Sequence, residues 1–197
     1  MIATNPGTQI KTLKELVERA KSEPGKLAYA SSGAGSITHI ATEYFLSVAG
    51  VEALHIPYKG TSPALTDTIS GTVQFMFGTV ASTVPHVKSG KLQGLAVTTK
   101  DRLGALPDLP TVIESGYPGF DVAVWHGLIG PKGIPKDIVD KLNKAVVEAL
   151  SDPATAEQLA TDGLTPAKDS PEAFSQLIET EVKRWGALIK ERGITLK

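Results

Sequence analysis

The sequence predicts an α/β protein built on a mainly parallel sheet, and three observations carry that prediction. Short strand-like runs alternate with helix-period stretches through the first half of the chain. The strand-to-helix junctions are made of glycine, serine and threonine, the residues that turn and cap. The balance of 41% hydrophobic and 21% charged residues is that of an ordinary globular chain. Alternation of this kind indicates βαβ units.

At 197 residues the chain can bury a sizeable core, as one large domain or two lobes. A net charge of −1 with no long basic run leaves no footprint for nucleic acid or an anionic membrane surface. Cysteine is absent, which excludes disulfides, thiol catalysis and thiolate metal sites. No run is apolar over the roughly eighteen residues that a membrane-spanning helix needs. The opening "MIATNPGTQIK" has no charged n-region, apolar h-region or small-residue cleavage site. Two expectations follow: a cytoplasmic chain, or an exported one given without its beginning.

The elements follow in order. "TLKELVERAKSEPG" places Leu13, Leu16, Val17 and Ala20 on one helical face, with a Thr12–Glu15 capping box and a Pro24-Gly25 stop. "KLAYAS" reads as a short buried strand. The next helix turns Ile37, Ile40, Ala41, Tyr44, Phe45 and Val48 inward and ends at Gly50. "ALHIPY" is a strand; Ser62 is expected to cap the following helix, with Pro63 at its first position. "VQFMF" and "LQGLAVT" are strands around a helical stretch at residues 79–88. "LGALPDLPTVIESGYPGF" reads as a connection, and "VAVWHGLIGP" as a long apolar strand.

The remainder is nearly all helix, with "LTPA" and "ITLK" as its strand candidates. One helix gathers Ile138, Val139, Leu142, Ala145, Val146, Ala149 and Leu150; another gathers Phe174, Leu177, Ile178, Val182, Trp185, Leu188 and Ile189. Each large apolar side chain left in water forgoes roughly 1.5–3 kcal/mol. These faces are therefore expected to cover a sheet supplied from the first lobe, another chain or a missing segment.

The junction "YASSGAGSITH" is the first candidate site. Gly33 and Gly35 permit close backbone approach, and a helix opens near Ser36. Its free N–H groups, with the Ser31, Ser32 and Ser36 hydroxyls, would make a small anion site. The alternative is an ordinary βα turn with a serine cap; the run is neither GxGxxG nor a Walker sequence. His39, one turn into the helix, faces either the pocket or the packing. "IPYKGTSPA" repeats the anatomy, with Tyr58, Lys59 and Gly60 at the turn. "FMFGTVAST" adds a third strand end with Gly78, Thr79 and Ser82. In a parallel sheet such loops share the carboxyl edge, where ligands bind.

Catalytic signals are sparse. The histidines His39, His55, His86 and His126 show no metal-ligand spacing, so neither a metal nor another cofactor is expected. No GxSxG elbow or paired loop carboxylates occur. Ser36 and His39 share one helical turn, with no acid to orient them, and His126 beside Trp125 reads as structural.

The series "TLKELVERAKSEPGKLAYASSGAGSITHIATEYF", "HIPYKGTSPALTDTISGTVQFMF", "HVKSGKLQGLAVTT", "LPDLPTVIESGYPGF", "WHGLIGPKGIP" and "RWGALIKERGI" resembles, nearly end to end, the Bug-type (TctC-like) solute-binding proteins of tripartite tricarboxylate transporters. That resemblance implies a periplasmic-binding-protein-like Venus flytrap (type II), which traps small carboxylates between two lobes. It also implies a periplasmic location and delivery of the ligand to membrane permease subunits. By position it implies ligand-binding roles for Ser31, Ser32, Gly33, Gly35, Ser36 and His39, for Tyr58, Lys59 and Gly60, and for Phe77, Gly78 and Thr79. Family members are longer at the front. The expected division is a complete ligand-binding lobe over residues 5–122, the family's second, and the C-terminal part of the first lobe over 123–197. Many relatives carry an acidic or amide residue where Gly78 stands, which favours a plain carboxylate ligand here. A homo-oligomer or a swapped dimer would cover the apolar helices. The rival expectations are an α/β enzyme acting on a phosphate- or carboxylate-bearing substrate, and a truncated remnant that binds nothing.

Overall fold

A computed structural model describes residues 1–161 and 163–195. It divides into two compact units: Met1–Val124 together with the chain from Leu188 onward, and Trp125–Ala187. The division differs from the expected 5–122 and 123–197 at both ends. Residues 2–4 are a strand of the first unit, and the last helix returns its final turn to it.

The first unit holds a five-stranded sheet in the order β3-β2-β4-β1-β5. Its strands are β1 (Ile2–Thr4), β2 (Ala28–Ser31), β3 (Leu54–Pro57), β4 (Phe75–Phe77) and β5 (Gln93–Ala96). β2 runs parallel to β3 and β4, as βαβ crossovers require. The sheet is nonetheless mixed, because β1 lies antiparallel between β4 and β5. This strand was absent from the sequence reading.

Helices α1 (Leu13–Ser22), α2 (Ile37–Ala49), α3 (Thr61–Ser70) and α4 (Val80–Lys88) join the strands. α1 forms as its sequence predicts: Thr12 accepts from the Glu15 amide, Glu15 reaches back, and Leu13, Leu16, Val17 and Ala20 are all buried. α2 ends at Gly50, as expected, in the left-handed conformation that glycine tolerates. Its inner face, however, is rotated from the apolar count. Thr38, His39, Ala41, Thr42, Glu43, Phe45 and Leu46 go inward, while Val48 is exposed. Polar groups can turn inward here because they partner one another, as the site shows. α3 starts at Thr61 with Gly60 as its cap, so Ser62 and Pro63 lie inside the first turn and Ser62 is not the cap.

Alternation along β2 and β4 sorts the core into two layers. Tyr29, Phe75 and Phe77 meet α2, where the Phe45 ring lies 5.8 Å from that of Phe77. Ala30 and Met76 face the opposite way, onto Ala64 of α3 and Val73. Tyr117 and Phe120 set their ring edges against Phe45 at 5.3 and 5.9 Å. The connecting segment 103–120 thereby closes the core beyond the last strand.

The second unit holds α5 (Lys136–Ser151), α6 (Pro153–Thr161) and most of α7 (Pro171–Glu191). The expected strand "VAVWHGLIGP" is irregular: Val122 makes one backbone bond, to Thr98, and Leu128 and Ile129 are 75% and 84% exposed. A lone extended segment cannot satisfy its backbone without a neighbouring strand. "LTPA" likewise forms no strand, and Leu196 and Lys197 of "ITLK" lie outside the described residues. Among the described residues α5 buries none of its own and α7 buries Leu188.

Candidate functional site

The parallel strands β2, β3 and β4 end at one edge of the sheet, and the first two loops leaving that edge are tied together. The Tyr58 amide donates to Ser31 O at 3.0 Å and the Gly60 amide to Ser32 O at 3.2 Å. Gly33 sits at φ +138°, and a Cβ there would come within 3.3 Å of Tyr58 O. Only glycine allows this approach at that dihedral.

The first loop spends most of its polar groups on itself. Ser36 Oγ accepts the His39 amide at 3.3 Å and donates to Gly33 O at 2.7 Å. Thr38 Oγ1 accepts the Ser32 amide at 2.9 Å, Ser31 Oγ the Gly33 amide at 3.2 Å, and His39 Nδ1 the Gly35 amide at 3.0 Å. The early amides of α2, on Ile37 and Thr38, have no intrahelical acceptor, as at any helix start. Most of the expected amide donors therefore shape the loop rather than await a guest.

Behind the loops stands a stack of rings, with Tyr29 and His39 buried and His55 half-buried. The His39 and His55 rings lie 3.8 Å apart at 13°, and Tyr29 stacks on His55 at 4.9 Å. Ser31 Oγ is 2.6 Å from His55 Nε2. Burial first, then the neighbouring His39, holds His55 down at about 4 against the Glu43 charge; burial also lowers His39. Both imidazoles are thus neutral at neutral pH, and His39 accepts through Nδ1, which places its proton on Nε2. The Tyr29 hydroxyl donates to Glu43 Oε1 at 2.6 Å, and Arg192 Nε donates to Glu43 Oε2 at 2.8 Å. Burial and that carboxylate push the Tyr29 phenol far above its usual range. Tyr58, donating to Asp67, is pushed up to about 12 by burial and that acceptor.

An open cleft of about 540 Å³ lies against this wall. Gly33, His39, Tyr58 and Lys59 line it, as the sequence predicted they would if the loops converged. Ser31, Ser32, Gly35, Ser36 and Gly60 build the loops without lining the cleft. The third loop is not brought to it. Phe77 is core, and Gly78 exchanges backbone bonds with Met1 at 2.8 and 2.9 Å. A side chain at Gly78 would strike the Thr83 hydroxyl, and Thr79 pairs with Ser82. The sequence reading missed Glu43, His55 and Arg192. His39 and Glu43 share a helical face at four-residue spacing, and strand alternation puts His55 with Pro57, so both had a local signal. Arg192 had none.

Chemically the wall suits capture more than turnover. Ser31 and His55 have nucleophile-to-base separation, but Ser31 is fully buried and its hydroxyl also contacts Gly33 O. Among the described residues the lining charges are Lys59 and Arg192 against Glu43, which leaves a positive excess.

The model of the family described as the tripartite tricarboxylate transporter family receptor matches residues 1–194. The chain belongs to this family. Among its relatives, the protein of the tcbD-tcbE intergenic region in Pseudomonas sp. is 37% identical over 93% of the chain, and BugT of Bordetella pertussis 34% over all of it. The chain spans 55% and 60% of those relatives' lengths. Among solved structures, an R. palustris protein with adipate superposes with a TM-score of 0.89 at 32% identity, covering all of this chain and 66% of that one. The periplasmic binding protein BugD gives 0.85 at 36%, again covering all of this chain and 66% of its own. MatC from Rhodopseudomonas palustris, with bound malate, gives 0.83 at 30%, covering 96% of this chain and 65% of its own. The fold class is therefore that of periplasmic binding proteins, represented by one α/β unit and one mostly helical unit.

Proposed function

We propose that the protein is a solute-binding receptor that captures a small carboxylate reversibly, with no bond made or broken. The observation that carries this reading is the cleft itself: two interlocked loops at the carboxyl edge of a parallel sheet, with a net positive lining and neutral imidazoles behind. Family membership and the adipate and malate held by two structural neighbours support the same ligand class. On this reading residues 5–122, most of the α/β unit, are the second lobe of a Venus flytrap, and residues 123–197 belong to the first. The two loops, from Ser31 to His39 and from Tyr58 to Gly60, form one jaw. Periplasmic capture and transfer to permease subunits of a tripartite transporter follow from the family. Assembly with further copies, or exchange of helices, would cover the apolar faces of α5 and α7.

Titration calorimetry of the chain with adipate, malate and citrate tests the capture. Saturable binding of at least one is expected. Heats no different from dilution for all three sink the reading, and leave a remnant without ligand. Turnover of any bound acid would favour the enzyme instead. Light scattering that finds a well-folded monomer removes the assembly.

A further inference from the structure

We propose that Arg192 anchors the ligand carboxylate, and that Glu43 and Tyr29 hold the guanidinium ready for it. This rests on the receptor reading and names the cation of the same cleft. Arg192 follows the last helix and reaches Glu43, 149 positions earlier in the chain, through Nε. That bond occupies one edge of a planar fork with five donors. Among the described residues the two terminal nitrogens have no partner, although the side chain is 28% exposed and lines the cleft. A guanidinium tethered along one edge leaves its remaining donors for a second carboxylate, in the bidentate geometry such groups favour.

Glu43 is fully committed to this task. One oxygen takes the Tyr29 hydroxyl, the other takes Arg192, and the side chain is 12% exposed. Each oxygen thus carries one donor, and the carboxylate bridges the phenol and the guanidinium. What it does is fix the guanidinium, so less rotamer freedom is lost when a ligand arrives. Tyr29 is itself immobilised, fully buried between the His55 and Phe75 rings. Lys59, the other lining cation, is an exposed side chain on a flexible stem, suited to steering rather than anchoring. The neutral histidines supply no third charge.

The test compares adipate with its uncharged diamide, adipamide, by calorimetry on the whole chain. The unmodified protein should prefer adipate. Arg192→Lys keeps a cation beside Glu43 but lacks the second edge, and should bind adipate on the order of tenfold more weakly or worse. Its affinity for adipamide should not change, so discrimination between the two collapses. Tyr29→Phe should move adipate the same way by less. An Arg192→Lys variant that binds adipate like the parent overturns the proposal. So does an equal loss for adipate and adipamide, which marks a structural strut. A parent that binds malate or citrate but not adipate takes that acid and its amide through the same comparison. A parent that binds none of the three acids defeats the receptor reading itself, a result distinct from a parent that binds and a variant that is unimpaired. Should the variants fail to fold, the unmutated protein decides. Saturating adipate should protect Arg192 from phenylglyoxal, as read by peptide mass spectrometry, and undiminished labelling overturns the proposal.

Discussion

Helices α1 and α5 are both amphipathic, yet their apolar faces meet opposite fates. α1 buries Leu13, Leu16, Val17 and Ala20, whereas α5 buries none of its stripe and leaves Ile138 and Leu142 44% and 53% exposed. Helical periodicity records that a partner surface is needed, not where it comes from. In the first unit the partner is a sheet assembled from the same hundred-odd residues. Residues 125–187 contribute no strand among the described elements.

The comparison can be broken most forcefully in the core. Phe45→Ala empties a fully buried site shared with Phe77, Tyr117 and Phe120 and should cost about 3–5 kcal/mol, read from urea unfolding. A loss below about 1 kcal/mol would mean that this core is not packed as described. Tyr29→Phe removes a bond to a buried carboxylate and should cost about 1–3 kcal/mol. Acid acts on the same wall. His55 falls from 6.5 in the unfolded chain to about 4 in the folded one, so the unfolded state takes up the proton first. Stability should therefore decline as pH drops from 6.5 towards 4, and His55→Gln should flatten that slope. A slope unaffected by His55→Gln assigns the effect elsewhere. Thr12→Ala breaks the α1 capping box and should cost about 1 kcal/mol. Leu142→Ala should change the stability of the dissociated single chain by no more than about 0.5 kcal/mol, because that side chain is half-exposed there. A loss of several kcal/mol in the dilute monomer would show that the chain covers its own α5 face, which would erase the contrast with α1. A loss that appears only as the chain assembles at higher concentration fits a face covered by another copy.

What the sequence made legible follows the range of each interaction. The capping box of α1, the Gly50 stop of α2 and the three parallel strands rest on signals within a few residues, and all three appear in the fold. The inner face of α2 departs from the apolar period because Thr38, Thr42 and Glu43 turn inward, each with a hydrogen-bond partner within the fold. β1 escaped because three apolar-to-threonine residues carry little period, and its partners lie far along the chain. At the site, Gly33, His39, Tyr58 and Lys59 could be read from strand-turn-helix chemistry. Arg192 could not, because what places it is a carboxylate in another element.

The antiparallel strand held between β4 and β5 governs how this unit can assemble. Ile2 must find Phe77 on one side and Ala96 on the other, so its two ladders span most of the unit's sequence. Neighbouring βαβ pieces such as β2 and β3 can zip early, over short loops. The last seat to be filled is then that of β1, and the high contact order of that step makes it the natural bottleneck of refolding. Dilution from denaturant should accordingly give a slow closing phase that Ala3→Gly lengthens, and Ile56→Val in the early-zipping edge strand should mainly slow folding while leaving the unfolding rate little changed.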